Sequence, residues 1–259
     1  MTFLEALTDQ IPLHAAAIIF AAVAIAGFMR GFLGFGGAVV IIMTLNALLG
    51  AHYAVPVACL AGLPATVQLL PSAVRHSDRS FVLPFAVASM LAIPIGTVVL
   101  VVLDPGLMKV VVSALVLVVV ALLYCGWRAA TRPTTSAIFG AGVGAGLIQG
   151  VAGVGGPPTV AMSLAQPGDA ETQRANVIGA ITALSVGPVV PLWYFGLFTK
   201  QVVLLSLAIV PLYMLSTFIG ARYFSGNGRE HYRNGALIAL GLMGCVTLVV
   251  SIRDYLAGA

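Results

Sequence analysis

Long apolar segments, separated by short polar ones, make up most of this chain. Charged residues are absent from 31–74, 80–103, 133–168, 175–199, 201–221 and 234–252. Each of these segments has about the ~20 apolar residues that a helix needs to cross a bilayer, or more. Segments of about ten alternating residues, which a transmembrane β-barrel would show, do not occur. The pattern therefore predicts an all-α polytopic membrane protein.

Two glycine-rich stretches interrupt the apolar pattern and resemble each other. Residues 27–39 read GFMRGFLGFGGAV and residues 146–158 read GLIQGVAGVGGPP, so five glycines coincide at an offset of 119. A second match, IPIGT at 93–97 with TFIGA at 217–221, has an offset of 124. The chain is therefore predicted to consist of two repeats, 1–127 and 136–259, joined by the linker 128–135. Internal repeats are common in secondary transporters, which bind their substrate where the repeats meet.

Each predicted repeat has one glycine-broken segment followed by three transmembrane helices. The helices are predicted at 54–73, 81–103 and 108–127 in the first repeat, and at 174–195, 201–222 and 234–252 in the second. The break in 133–168 leaves arms of about 14 and 10 residues, roughly 21 and 15 Å long. Neither arm would cover a hydrocarbon core of ~30 Å, which predicts a re-entrant hairpin. In the first repeat, residues 12–29 could instead cross the membrane alone. Two full crossings by the broken segment would leave the number of crossings in the repeat odd, as a re-entrant hairpin does.

The distribution of basic residues favours an inverted orientation of the two repeats. If the broken segments are re-entrant, eight basic residues fall on one side of the membrane and three on the other, with Arg30 set aside. If each broken segment crosses once, the split is six against five. Cytoplasmic loops carry an excess of Lys and Arg, so the inverted arrangement is favoured and both termini are expected outside.

The glycine motifs predict a binding site for an anion. A break at membrane depth is tolerated only where protein or a watery cavity satisfies the backbone, and glycine permits the turns that it requires. The helix that restarts after each break would point free N–H groups and the positive end of its dipole inward. The predicted site glycines and proline are Gly34, Gly36, Gly37, Gly153, Gly155, Gly156 and Pro157. In contrast, Gly142, Gly146 and Gly150 are spaced for close helix packing.

Four polar residues complete the predicted site: Arg30, Gln149, Arg174 and Asn176. Arg30 lies inside the first motif, and Gln149 occupies the equivalent position in the second. A charge inside the membrane indicates function, although Arg30 could also end its helix and extend to the headgroups. Arg174 and Asn176 lie at the start of a predicted span, where Arg174 could instead be an interfacial anchor.

Composition and charge exclude several other functions. Hydrophobic residues make up 60% of the chain and charged residues 8%, against roughly 25% charged in soluble domains. The net charge of +4 relates to membrane topology, so no nucleic-acid partner is predicted. Cys59, Cys125 and Cys245 are isolated, so neither a metal site nor a cofactor is predicted. Paired intramembrane acids, a histidine cluster and an activated nucleophile do not occur, which argues against an enzyme.

The twin motifs GFLGFGG and GVAGVGGPP, in a membrane chain with two related halves, resemble the sulfite exporter TauE/SafE family. The resemblance covers about residues 15 to 251. It implies transport of sulfite, sulfonates or related organic anions. We expect a secondary transporter in the bacterial cytoplasmic membrane that exports such an anion by alternating access. An anion channel and an uptake carrier coupled to H⁺ or Na⁺ are the alternatives, and homodimerisation stays open.

Overall fold

The computed structural model describes residues 13–49, 51–102 and 133–242, except 165, 167, 233, 237, 240 and 241. The described residues form helices and their connections, without strands. The helices are α1 (Leu13–Leu33), α2 (Gly37–Leu49), α3 (Ala51–His76), α4 (Arg79–Val102), α5 (Thr135–Ala152), α6 (Gly156–Leu164), α7 (Ala170–Val186), α8 (Val189–Tyr194) and α9 (Lys200–Tyr223), followed by a π-helical turn, Phe224–Gly228. The predicted all-α fold is confirmed.

Four of the six predicted spans fall inside the described residues and are confirmed within a few residues. They correspond to α3, α4, α7 together with α8, and α9. The predicted span 108–127 lies outside the described residues, as does most of 234–252 and of the linker 128–135. The two-repeat division of the whole chain therefore stays a prediction.

Both glycine motifs break their helices, and each short arm returns along the long arm that precedes it. The first break separates α1 from α2, and the second separates α5 from α6. A Cβ atom on Gly37 would lie 2.8 Å from the carbonyl oxygen of Ala26, and one on Gly155 would lie 2.5 Å from that of Ala145. These close approaches place the start of each short arm about two turns back along the long arm. Each motif is thus a helical hairpin.

The first arm of the second hairpin is longer than predicted. Helix α5 has 18 residues, about 27 Å, and it is one of six described helices that are long and apolar enough to cross a membrane. The prediction that neither arm reaches this length is therefore wrong for α5. Its extra length has a physical cause, because Gly142, Gly146 and Gly150 stay helical and pack tightly against α4. Helix α6, with nine residues, remains too short to span.

The two hairpins pack on partners in the opposite half of the chain. Helix α5 makes the most extensive helix contact with α4, where the glycines at 142, 146 and 150 touch the backbone at Phe85, Ser89 and Ile93. Helix α1 makes the next most extensive contact, with α9, through Gly27 and Gly31. The packing role predicted for the 142–150 glycines is confirmed. Glycine suits both interfaces because backbones can approach closely there.

Contacts along the helices define their directions. Gly27 and Gly31 meet α9 in ascending order, and Tyr53 and Gln201 pair at the starts of α3 and α9, so α1, α3 and α9 run the same way. Helices α4, α5 and α7 run the opposite way. Each described helix of the first half therefore runs opposite to its counterpart in the second half. The directions agree with an inverted duplication, which stays a prediction because the last helix of each half is not part of the described set.

The described basic residues gather at one end of the bundle. Arg75 and Arg79 lie at the junction of α3 and α4, and Arg222 and Arg229 lie at the end of α9 and beyond it. Lys200 begins α9 at the other end. Glu171, in the first turn of α7, pairs with Arg229 at 3.2 Å and with His76 at 3.6 Å. This separation agrees with the side assignment expected from the positive-inside rule.

Candidate functional site

A small cavity lies where the two hairpins approach each other. Its volume is about 50 Å³. Residues from both breaks line it, together with parts of α3, α7 and α9: Arg30, Ala38, Val39, Ile42, Val55, Ala58, Cys59, Gly62, Gln149, Gly153, Gly156, Ile181, Leu184, Ser185, Pro188 and Tyr213. The sequence predicted that the breaks converge on one site, and four of the predicted site residues line this cavity: Arg30, Gln149, Gly153 and Gly156.

Arg30 places a positive charge at the cavity from the last turn of α1. Its side chain is 4% exposed, so it does not extend to the surface. The guanidinium donates to the carbonyl oxygen of Gly34 and to the hydroxyl of Thr66, both at 3.0 Å. In the described part of the chain, no carboxylate pairs with it. Burying a charge is costly unless it is paired, so a bound anion would stabilise this arginine.

Tyr213 brings a hydroxyl group to the same cavity from α9. The residue is 2% exposed, and its hydroxyl lies against Gly37, where any side chain would overlap it. No hydrogen bond from this hydroxyl reaches another residue within the ranges that the structure covers. A buried tyrosine usually pairs its hydroxyl. The phenol is therefore available to a bound molecule.

The first break supplies backbone donors. Gly34 and Gly36 have φ angles of 86° and 91°. Residues with a side chain rarely adopt such angles, so both positions favour glycine. Helix α2 then begins at Gly37, and the N–H groups of its first turn have no acceptor within the helix. Two of these residues, Ala38 and Val39, line the cavity.

The second break supplies fewer donors than its sequence suggests. Gly153 has a φ of 70°, and the side-chain oxygen of Gln149 accepts the N–H of Gly155 at 2.9 Å. Pro157 and Pro158 carry no N–H. Gly156 lines the cavity. The polarity that attracts anions is thus concentrated at the first break.

Arg174 and Asn176 do not line the cavity. The guanidinium of Arg174 donates to the carbonyl oxygens of Gly31 and Phe32 at the end of α1, and it lies 4.3 Å from the centre of the Phe224 ring. The side-chain oxygen of Asn176 accepts the N–H of Asp78, just before α4, at 2.6 Å. Both side chains cap helix ends, so in this structure their contacts are structural.

The sequence did not point to Tyr213. It is a single tyrosine within an apolar span, and such residues are usually part of the core. Its one distinguishing feature in the sequence is that it lies one helical turn before the stretch TFIGA. That stretch packs on α1, which ends at the first break. Cys59 was considered in the sequence only as an isolated cysteine, and the structure places it in the cavity wall.

Together, the fold and the cavity define a class of membrane protein. Interrupted helices that meet at a buried cavity with a few polar groups are typical of secondary transporters. The sequence model of the family described as "Sulfite exporter TauE/SafE" matches residues 19–247. The chain therefore belongs to the sulfite exporter TauE/SafE family, a family of transporters, and the resemblance in the glycine motifs is confirmed.

The name of one similar protein states a function. The chain is 27% identical over 205 residues to the "Probable sulfite/organosulfonate exporter TauE" of Cupriavidus necator. The alignment covers 72% of this chain and 78% of that protein. No solved structure matches the chain.

Proposed function

We propose that this protein exports a small sulfur-containing or organic anion across the bacterial cytoplasmic membrane by alternating access. The anion binds in the cavity between the two hairpins, with Arg30 as its cationic partner. Membership of the TauE/SafE family supports the transporter class and the type of cargo. The observation that carries the proposal is the buried guanidinium of Arg30, which faces the cavity without a carboxylate among the described residues.

The membrane potential and the placement of the acids support export as the direction of transport. A cell interior that is negative by 100 mV favours the exit of an anion by ~2.3 kcal/mol per charge. The acids in the described ranges, Asp78, Asp169, Glu171 and Glu230, lie at helix ends or in connections. A proton relay would require titratable groups inside the bundle. Export driven by the potential needs no such relay.

Counterflow in proteoliposomes tests this function. Wild-type protein should accelerate the uptake of labelled sulfite when the vesicles contain unlabelled sulfite, because a carrier exchanges its cargo. Arg30→Gln should weaken binding by roughly 10- to 150-fold, since a hydrogen bond to a charged group contributes about 1.5–3 kcal/mol. The control is Arg75→Gln, because Arg75 is exposed at the end of α3; this variant should transport normally.

Three results would count against the proposal. Wild-type flux in the Arg30→Gln variant would remove Arg30 from the site. Flux that does not saturate and shows no counterflow would identify a channel. Transport that requires a proton or sodium gradient would identify a coupled uptake carrier.

A further inference from the structure

The charges around the cavity are few and of one sign. Among the described residues that line it, Arg30 is the one with a charged side chain, and the uncharged polar residues include Gln149 and Tyr213, whose hydroxyl lies against Gly37 at the first break. Most of the remaining wall is apolar, formed by residues such as Ile42, Val55 and Leu184. An ion in this cavity therefore meets one full positive charge in surroundings that solvate charge poorly.

The helix dipoles do not add a second charge. Each break joins the C-terminal end of a long arm to the N-terminal end of a short arm. The partial charges of these two ends, about −0.5 and +0.5, are of similar size and opposite sign. These end charges therefore offset each other in part within each break. Arg30 supplies the one full charge among the described lining residues, and the neighbouring guanidinium of Arg174 is held by carbonyl oxygens outside the cavity.

We propose that the cavity selects oxyanions with a single negative charge, and that the Tyr213 hydroxyl binds the anion beside Arg30. This inference rests on the proposed function, because it concerns the same site. A monoanion is balanced by the guanidinium, and its second oxygen can accept the phenol proton. The second charge of a dianion would have no partner in a weakly polar environment, which disfavours its binding.

A matched pair of ligands tests the charge rule. Methanesulfonate and sulfate have similar size and tetrahedral shape, but they carry one and two negative charges. Isothermal titration of the detergent-purified protein at neutral pH should show methanesulfonate binding at least about tenfold more tightly, because the second charge of sulfate would lose its hydration without gaining a partner. Equal or tighter binding of sulfate would overturn the inference and leave the anion site intact. Failure of both ligands, and of sulfite, to bind would overturn the proposed function itself.

A charge added at the cavity tests the same rule from the side of the protein. Gln149→Lys introduces a second cation beside the second break and should shift the preference toward sulfate by at least tenfold. Gln149→Met is the control, because it also removes the hydrogen bond to Gly155 but adds no charge. An unchanged ratio of sulfate to methanesulfonate affinity in a folded Gln149→Lys protein would contradict the charge rule.

The hydroxyl of Tyr213 is tested by a conservative change. Tyr213→Phe keeps the ring that packs beside Gly37 and removes only the donor. Methanesulfonate should bind about tenfold more weakly, while the melting temperature stays the same, because the hydroxyl has no partner to lose within the described structure. Tyr194→Phe, at an exposed position, should bind as wild type does. Affinity within twofold of wild type in Tyr213→Phe would remove this hydroxyl from the site.

Discussion

Gly156 offers a way to reduce the size of the cavity without disturbing the fold. Its added Cβ would meet one atom, Cδ1 of Ile181, at 3.6 Å, which is an ordinary contact. Its φ angle is not among the positive values, so alanine can adopt the backbone conformation. Gly156→Ala should therefore keep or raise stability, by about 0.4–1 kcal/mol, because alanine restricts the unfolded chain. The new methyl group would occupy part of a cavity of only about 50 Å³.

The expected loss is in binding. Forcing an oxyanion against an added methyl group should cost about 1–3 kcal/mol, the usual range for overpacking, which is roughly 5- to 150-fold in affinity. Thermal unfolding and titration with methanesulfonate on the same preparation separate stability from binding. Normal affinity in a stable Gly156→Ala protein would refute the placement of the site in this cavity.

Two other glycines of the second hairpin, Gly155 and Gly140, provide the comparison. Gly155→Ala would bring its Cβ to 2.5 Å from the carbonyl oxygen of Ala145, so the melting temperature should fall together with binding. Gly140→Ala meets no atom within 4 Å and lies on the exposed side of α5, so it should transport normally and be slightly more stable. A fall in stability for Gly156→Ala as large as that for Gly155→Ala would contradict the steric argument.

Three further predictions address structure and access. Arg174→Gln should lower the free energy of unfolding by about 1–3 kcal/mol, because it leaves carbonyl oxygens at the end of α1 without their donor, and should leave the affinity measured by titration within twofold of wild type. The carboxylate of Asp169 accepts a hydrogen bond from the Thr172 amide, which holds the pKa of Asp169 below its ordinary value. The stabilisation from this hydrogen bond is therefore present above the unfolded pKa of about 3.9 and is lost as the pH falls through the folded pKa. The melting temperatures of wild type and Asp169→Asn should converge on acidification. Cys59 lines the cavity, so substrate should slow its labelling by a small thiol reagent in a background whose other cysteines are serine; labelling that ignores substrate would contradict this.

The sequence predicted the spans and the breaks well, since both depend on local rules. A charge-free run of sufficient length becomes a helix in lipid, and adjacent glycines mark where it ends. The length of α5 was underestimated because the start of the glycine-rich motif was taken as the end of the helix, whereas the helix continues through Gly146 and Gly150 to Ala152, packed against α4. The roles of Arg30 and Arg174 could not be separated, because each arginine lies near the end of an apolar segment, where it could bind an anion or anchor the helix at the interface. Only the tertiary contacts show that Arg174 caps α1 whereas Arg30 faces the cavity.

The packing of the hairpins indicates which helices could move together during alternating access. The strongest contacts join α1 with α9 and α4 with α5, across the two halves of the chain, so a rigid rotation of one half against the other would break both. When each described helix is assigned by the sum of its contacts, α1, α2, α3 and α9 form one group and α4, α5, α6 and α7 form another. The contact of α3 with α7 joins the two groups and is less extensive than the two contacts that a rotation of the halves would break.

We infer that transport moves one of these groups against the other along α3 and α7, which both line the cavity. A disulfide between Cys59 and Ser185→Cys would cross this boundary, because the sulfur already lies 3.8 Å from the Ser185 carbonyl oxygen, and it should stop counterflow until it is reduced. A disulfide between Val82→Cys and Gly179→Cys lies within one group, where the Cβ positions are 3.7 Å apart, as a disulfide requires, and it should leave counterflow intact. The reverse outcome, with transport blocked only by the second cross-link, would show that α4 and α7 move apart and would reject the division into these two groups.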